Sequence, residues 1–213
     1  MNSPATAAAC PSCGQALATP LLCEACGALL APARAPTPFE AFGLEPGFVL
    51  DLAALRRRHL ALSRELHPDM HARAEAETRR RAEDGTAALN AAYQVLADED
   101  RRADWLVRAL GGPGEDQERA MPQEFLLEVL EWNEKIEEAR SAPTGSAERA
   151  RLDALVPALE SERARRRAAV GECLTPLPPA GAPALRRARQ ELNALRYLER
   201  ALTEVGELRL AVR

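Results

Sequence analysis

Aromatic residues make up only 4% of this 213-residue chain, and the strand-favouring Val and Ile are sparse. Ala and Leu supply most of the 46% hydrophobic content. Both favour helix, so the expected fold is all-α. Lysine is nearly missing: Lys135 is the only one, and Arg carries the rest of the positive charge, which reads as genome bias before function. No stretch approaches 18 uninterrupted apolar residues, so no transmembrane helix is expected. Met1 to Ala9 lacks the basic start and apolar centre of a secretory signal, and lacks the Arg pattern of a transit peptide. The expected setting is a bacterial cytoplasm or an equivalent reducing compartment, where cysteines serve as metal ligands more often than as disulfides. The net charge of −4 argues against a simple nucleic-acid binder. Only three histidines are present, His59, His67 and His71. None has an acid–base partner at catalytic spacing, so no catalytic site is expected.

Four of the five cysteines stand in residues 1–31, as Cys10-Pro11-Ser12-Cys13-Gly14 and Cys23-Glu24-Ala25-Cys26-Gly27. Each CxxC can grip one metal from a tight turn, and the glycine that follows allows a positive φ. Four thiolates suit a structural zinc ion, with iron or a redox dithiol as the alternatives. Only nine residues separate the pairs, too few to bury a core, so the metal would supply the folding free energy. Four protein ligands leave no open position for catalysis. Cys173 stands alone and reads as an ordinary buried or half-buried thiol.

Residues 32–38, with Pro32, Pro36 and Pro38, form a stiff linker. Residues 39–112 then read as helices ending at Gly111-Gly112-Pro113-Gly114, and residues 113–213 as a second helical region. Asp51 is a good N-cap for a helix to about Leu66, with Leu52, Leu55, His59, Leu62 and Leu66 on one stripe and Arg56, Arg57, Arg58 and Arg64 on other faces. A loop carries His67-Pro68-Asp69. A second long helix runs from about Arg73 to Ala97, packing through Leu89, Ala92, Tyr93 and Leu96. The two make an antiparallel hairpin. A short helix from Asp100 to Leu110 follows. Further helices at about 122–141, 146–172 and 183–211 suggest a three-helix bundle, with Pro157 kinking or interrupting the middle one.

His-Pro-Asp alone is a weak signal, since Pro fixes the backbone and Asp caps nearby N–H groups in many turns. Its place at the tip of a hairpin, after an arginine-bearing helix, makes it a docking element for an acidic partner. In this order and spacing residues 39–110 resemble a J-domain, including a short helix at Phe39–Leu44. The resemblance implies that His67, Pro68 and Asp69 stimulate ATP hydrolysis by a DnaK/HscA-class heat-shock chaperone, and that Arg58 and Arg64 steer docking. Met70 departs from the pattern, because many J-domains place Lys there.

On the helix from Pro122 to Arg140, Phe125, Val129, Trp132 and Ile136 share one stripe at 100° per residue. Leu126, Leu127 and Leu130 lie off that stripe, and Leu127 and Leu130 share the opposite side with Glu131, Glu134 and Glu138. A second apolar face rimmed by carboxylates is either a partner surface or packs on another helix. This segment, with Leu195-Arg196-Tyr197-Leu198, resembles the C-terminal domain of HscB proteins, a three-helix bundle that binds the iron–sulfur scaffold IscU. The resemblance implies scaffold contacts at Leu126, Leu127, Leu130, Glu131, Glu134, Glu138 and Tyr197, with Tyr197 as an exposed anchor off the last helix's stripe (Leu192, Leu195, Leu202, Val205). Some HscB relatives also carry a Cys-rich extension. The family reading covers about residues 10–212.

Two rivals stand beside it. The chain could be a J-domain co-chaperone for a different client, with the zinc module as a targeting element. The cysteine ribbon could instead read nucleic acid, but residues 9–31 hold no Lys or Arg to neutralise phosphates. The ribbon's own role is open between stabilising a homodimer, touching the J-domain and guiding a client.

Overall fold

The helices fall where capping and periodicity put them. In this computed structural model the described residues are 8–143 and 145–210, and they form helices and turns without a strand. α1 spans Pro38–Phe42, α2 Leu52–Leu66, α3 Ala76–Ala97, α4 Glu99–Ala109, α5 Gln123–Ser141, α6 Ala147–Leu174 and α7 Pro183–Leu210, with a 3-10 turn at Pro68–His71. Two compact units result, one up to Arg102 and one from Ala103, with α4 running across the division.

In the first unit Thr37 and Glu40 cap α1 reciprocally: the Thr37 hydroxyl accepts from the Glu40 N–H, and the Glu40 carboxylate accepts from the Thr37 N–H at 2.8 Å. The Asp51 carboxylate accepts from the Ala54 N–H at 2.9 Å and starts α2. Leu55, Leu62 and Leu66 of α2 are buried with Ala82, Leu89, Ala92 and Leu96 of α3 and Phe39 and Phe42 of α1. Each fully buried large side chain contributes about 1.5–3 kcal/mol. Leu52, read as part of the α2 stripe, is instead 49% exposed as the first residue of the helix, whereas Leu55, three residues on, is buried. His59 completes the stripe by stacking on Tyr93, with ring centroids 4.1 Å apart. Arg102 is buried, donating to the Phe48 carbonyl at 2.8 Å and to the Leu96 carbonyl.

In the second unit α5, α6 and α7 share a core of Phe125, Val129, Trp132 and Ile136 with Leu152, Leu155, Leu159, Leu198 and Val205. Pro157 lies inside α6 and does not end it. Pro157 and Asp153 both face solvent, so the carbonyl that loses its N–H partner is on the wet side of the helix. Beneath α5 lies a charged cluster. Arg166 donates to Glu162 at 2.5 Å and to Glu191 at 3.1 Å, all three are nearly sealed from solvent, and its guanidinium sits 4.9 Å above the Phe125 ring. Asp104 likewise holds the fully buried Arg189 at 2.6 Å.

Candidate functional site: a cysteine knuckle, an exposed loop and an apolar ridge

Two matching turns build the cysteine site. The Gly14 N–H donates to the Cys10 carbonyl and the Gly27 N–H to the Cys23 carbonyl, both at 2.8 Å. The glycines adopt φ of 75° and 72°. Short antiparallel bridges, Ala9 with Ala16 and Leu22 with Leu29, close each turn. The result brings all four Sγ atoms of Cys10, Cys13, Cys23 and Cys26 within 4.8 Å of one another. Cys10 and Cys26 are 3.7 Å apart, as are Cys13 and Cys23. A tetrahedron of Zn–S bonds of about 2.3 Å has edges of about 3.8 Å, so the donor set fits a four-coordinate thiophilic metal. Burial pushes the Cys10 thiol up, but the Ser12 and Cys13 backbone N–H groups and the neighbouring thiols outweigh it and bring it down to about 6. The Gln15 N–H lowers Cys13, yet burial and the other three sulfurs hold it up at about 12. Sulfurs this close cannot all ionise without a cation between them. Cys173 is buried, and burial raises its pKa.

The knuckles are packed on the helical hairpin within the first unit. The Thr19 hydroxyl, buried, donates to the Ala41 carbonyl of α1 at 2.9 Å, and Leu21 and Leu22 are buried. Gly43, at φ 66°, ends α1 against the ribbon: a Cβ placed there would lie 2.1 Å from the Ala18 carbonyl oxygen. Glu24, between two of the cysteines, grips Arg58 of α2 with both carboxylate oxygens, one at 2.7 Å. Each partner shifts the other: the hydrogen bond from Arg58 lowers Glu24, and the bond to Glu24 raises Arg58.

The His67-Pro68-Asp69 loop stands in solvent, with side-chain exposures of 55% for His67 and 92% for Asp69. His67 ends α2 and begins the 3-10 turn, its Nδ1 accepting from the Asp69 N–H at 3.2 Å. His71 Nε2 meets the Glu65 carbonyl at 2.8 Å, and the Thr86 hydroxyl donates to the Leu66 carbonyl at 3.0 Å. These bonds brace the tip on both helices of the hairpin. Met70 is exposed beside it. Arg56, Arg57 and Arg64 find no ion-pair partner among the described residues.

On α5 the helix places Phe125, Val129, Trp132 and Ile136 in the core and leaves Leu126, Leu127 and Leu130 at 42%, 70% and 61% exposure. Glu131 and Glu134 are exposed beside them without an ion-pair partner among the described residues, and Glu138 reaches Arg151 only at 3.8 Å. Tyr197 differs from the exposed anchor expected of it. It is half-buried, its ring edge-on to Phe125 at 5.7 Å and its hydroxyl donating to Asn133 Oδ1 at 2.8 Å. A position at the edge of the α7 stripe, next to the deeply buried Leu198, suffices to draw an aromatic ring onto the core. Burial accordingly pushes its phenol pKa up.

Residues 121–206 match the family model described as the HSCB C-terminal oligomerisation domain. A "Co-chaperone protein HscB homolog" of Burkholderia mallei (strain SAVP1) is 33% identical over 169 residues, covering 79% of this chain and 91% of that relative. The chain belongs to the HscB co-chaperone family. The HscB homologue of Paraburkholderia xenovorans (strain LB400) is 32% identical with the same coverage. Among solved structures, the chaperone HscB from Vibrio cholerae aligns with a TM-score of 0.65 and 25% identity, covering 84% of this chain and all of that one. The human co-chaperone protein HscB aligns with a TM-score of 0.72 over 94% of this chain and 98% of that one, and at 22% identity it speaks for the fold alone. The all-α reading is thus borne out in an HscB fold. No helix among the described residues is long and apolar enough to cross a membrane.

What the sequence did not disclose is the set of long-range charge pairs. Glu24 looks like a spacer between ligands, and Arg166 like one arginine among many. Arg58 lies 34 residues from Glu24, and although Glu162 stands four residues before Arg166, the second carboxylate, Glu191, lies 25 residues on, so neither long-range pair has a local signal.

Proposed function

We propose that this chain is a non-catalytic co-chaperone that stimulates ATP hydrolysis by a DnaK/HscA-class heat-shock chaperone and delivers to it an IscU-type scaffold during iron–sulfur protein maturation. The observation that carries this reading is the exposed His67-Pro68-Asp69 tip at the end of a helix whose Arg56, Arg57 and Arg64 have no ion-pair partner among the described residues. A helix face left cationic attracts an acidic surface, and the rigid tip then contacts the ATPase. Stimulation follows if those contacts are stronger in the hydrolysis-competent arrangement than in the resting one, because a ligand shifts an equilibrium only by its differential affinity. The chain supplies no nucleophile, base or metal to the reaction itself.

In this reading the domain up to about residue 112 carries chaperone docking and residues 113–213 carry the client. The client surface is the ridge of Leu126, Leu127 and Leu130 with Glu131, Glu134 and Glu138 as its acidic rim, matched to a basic, partly apolar patch on the scaffold. Tyr197 contributes from behind, holding Asn133 and the Phe125 ring in place. Cys10, Cys13, Cys23 and Cys26 hold one structural zinc ion, which supplies cross-linking and no chemistry. The setting is the cytoplasm, where thiolates stay reduced.

Single-turnover ATP hydrolysis by the purified chaperone, with and without the scaffold, tests the reading. Wild-type chain accelerates hydrolysis, and His67→Gln abolishes the acceleration while helicity and scaffold binding persist. Unaltered acceleration by His67→Gln refutes the J-domain role. Absence of scaffold binding by the wild-type chain refutes the client and points to a different one.

A further inference from the structure

The grip of Glu24 on Arg58 divides the arginines of α2 into two sets. At 100° per residue, Arg57, Leu60 and Arg64 lie within about 60° of one another, opposite the buried Leu55, Leu62 and Leu66, and Arg58 lies about 100° away from Arg57 on the flank. That flank is where the second cysteine turn sits. Arg58 is paired there in two-oxygen fashion, at 30% side-chain exposure. Arg57 and Arg64 are exposed and without an ion pair among the described residues, and Leu60, between them, is 51% exposed. We infer that Glu24 is a positioning residue for chaperone docking: it withdraws Arg58 from the cationic face and confines docking to the stripe of Arg57, Leu60 and Arg64, and it does so only while a metal holds the Cys23–Cys26 turn in shape. This inference rests on the chaperone-docking reading.

The physical reasoning is local. A bidentate guanidinium–carboxylate pair is geometrically exacting, so it forms only if Glu24 is presented at the right height over α2. Glu24 follows Cys23 directly, and the turn that carries it closes through the Gly27 N–H to the Cys23 carbonyl. The metal joins this turn to its twin at Cys10–Cys13, which fixes Glu24 as well. Without the metal the turn keeps its own backbone hydrogen bonds, Gly27 N–H to the Cys23 carbonyl and Cys23 N–H to the Ala28 carbonyl, but is no longer tied to its twin, and the pair loses its fixed acceptor. Two changes then reach the docking face together: a free cation is added, and a carboxylate that would repel an acidic partner is no longer held beside it. The ribbon thereby couples metal occupancy to the charge that α2 offers.

The test measures affinity of the full chain for the ATP-bound DnaK-class chaperone at low and at moderate salt, by calorimetry. Arg58→Ala weakens affinity only slightly and less than Arg64→Ala, because it uncovers the Glu24 carboxylate without removing a docking contact. Glu24→Gln tightens it about two- to fivefold at low salt, the size of one exposed ion pair, with a steeper salt dependence. The double variant returns to wild type. Chelating the metal moves affinity in the direction of Glu24→Gln, and the Arg58 Nε–H NMR signal, distinct in the zinc-loaded protein, collapses towards that of a free arginine in both cases. The inference is overturned if Arg58→Ala weakens docking as Arg64→Ala does, or if Glu24→Gln leaves affinity unchanged while Arg64→Ala and His67→Gln alter docking or stimulation. If Arg64→Ala and His67→Gln are also without effect, the docking reading itself has failed.

Discussion

Arg166 lies with its guanidinium 4.9 Å above the ring of Phe125 while its nitrogens hold Glu162 and Glu191. One buried cation on α6 thus also touches α5 and α7, reaching the turn of α5 that leads into Leu126 and Leu127. Arg166→Met keeps most of the volume, takes from the nearly sealed Glu191 its guanidinium partner and leaves Glu162 with Arg165 alone. Removing one member of a buried pair costs about 3–5 kcal/mol, and urea unfolding should register a loss of that order. Replacing Glu162 and Glu191 as well, by Gln or Leu, should restore much of it. A loss below about 1 kcal/mol for Arg166→Met would mean that water already reaches the cluster.

Leu127 and Leu130 are too exposed to stabilise the bundle, so Leu126→Ala, Leu127→Ala and Leu130→Ala combined should leave the melting temperature within a few degrees. Scaffold binding should weaken by at least tenfold, since apolar anchors in a charged rim carry interface energy of about 1–2 kcal/mol each. Titration of labelled scaffold reads this directly. Phe125→Ala, by contrast, should cost about 3–5 kcal/mol of stability through the cavity it opens.

Metal loading should depend steeply on pH. At neutral pH Cys10, brought down to about 6, is already largely thiolate, whereas Cys13, held up at about 12, still carries its proton, and Cys26 is raised as well. Binding zinc must displace those protons, so affinity falls as pH falls, by up to about tenfold per unit for each proton released. Competition with a colorimetric chelator between pH 6 and 8 measures the slope. Cys10→Ser with Cys13→Ser should release one zinc per chain. A pH-independent affinity would contradict this arrangement of protonation states.

Glu40 gives a second pH signature. The Arg34 guanidinium, then the Thr37 N–H, hold its carboxyl well below the usual range, at about 2. Its folded pKa is depressed, so the stabilisation it lends to α1 is present above its ordinary value near 4.5 and is lost as pH falls towards 2. Both partners are substantially exposed, which screens the effect. Glu40→Gln should therefore destabilise the first unit modestly at pH 7 and be indistinguishable from wild type near pH 2, as thermal unfolding across that range will reveal.

Helix positions were readable from the chain because capping and periodicity are local. Asp51 starts α2 one residue later as expected, and the 3.6-residue repeat of Phe125, Val129, Trp132 and Ile136 puts all four in the core. The same projection correctly left Leu127 and Leu130 outside, and the CxxC spacing brought four sulfurs together. It went astray where a contact from elsewhere decides. Leu52 has the right phase but stands half exposed at the first residue of α2, and Tyr197 lies off the stripe's centre but finds Phe125. Pro157 could not be placed from sequence, because tolerance depends on which side of α6 meets water. Pairs such as Glu24 with Arg58 join segments whose proximity exists only after folding.

The Gly43 contact also bears on how such chains diversify. A residue with any side chain there would strike the Ala18 carbonyl at 2.1 Å. The cysteine-bearing extension is therefore not a tag that can be moved at will to the front of another hairpin. A recipient must already lack a Cβ at that corner, and the left-handed φ of 66° favours glycine there even in a chain that loses its extension. Grafts made without that vacancy would leave the extension tethered by its prolines but unseated, with Glu24 far from any arginine.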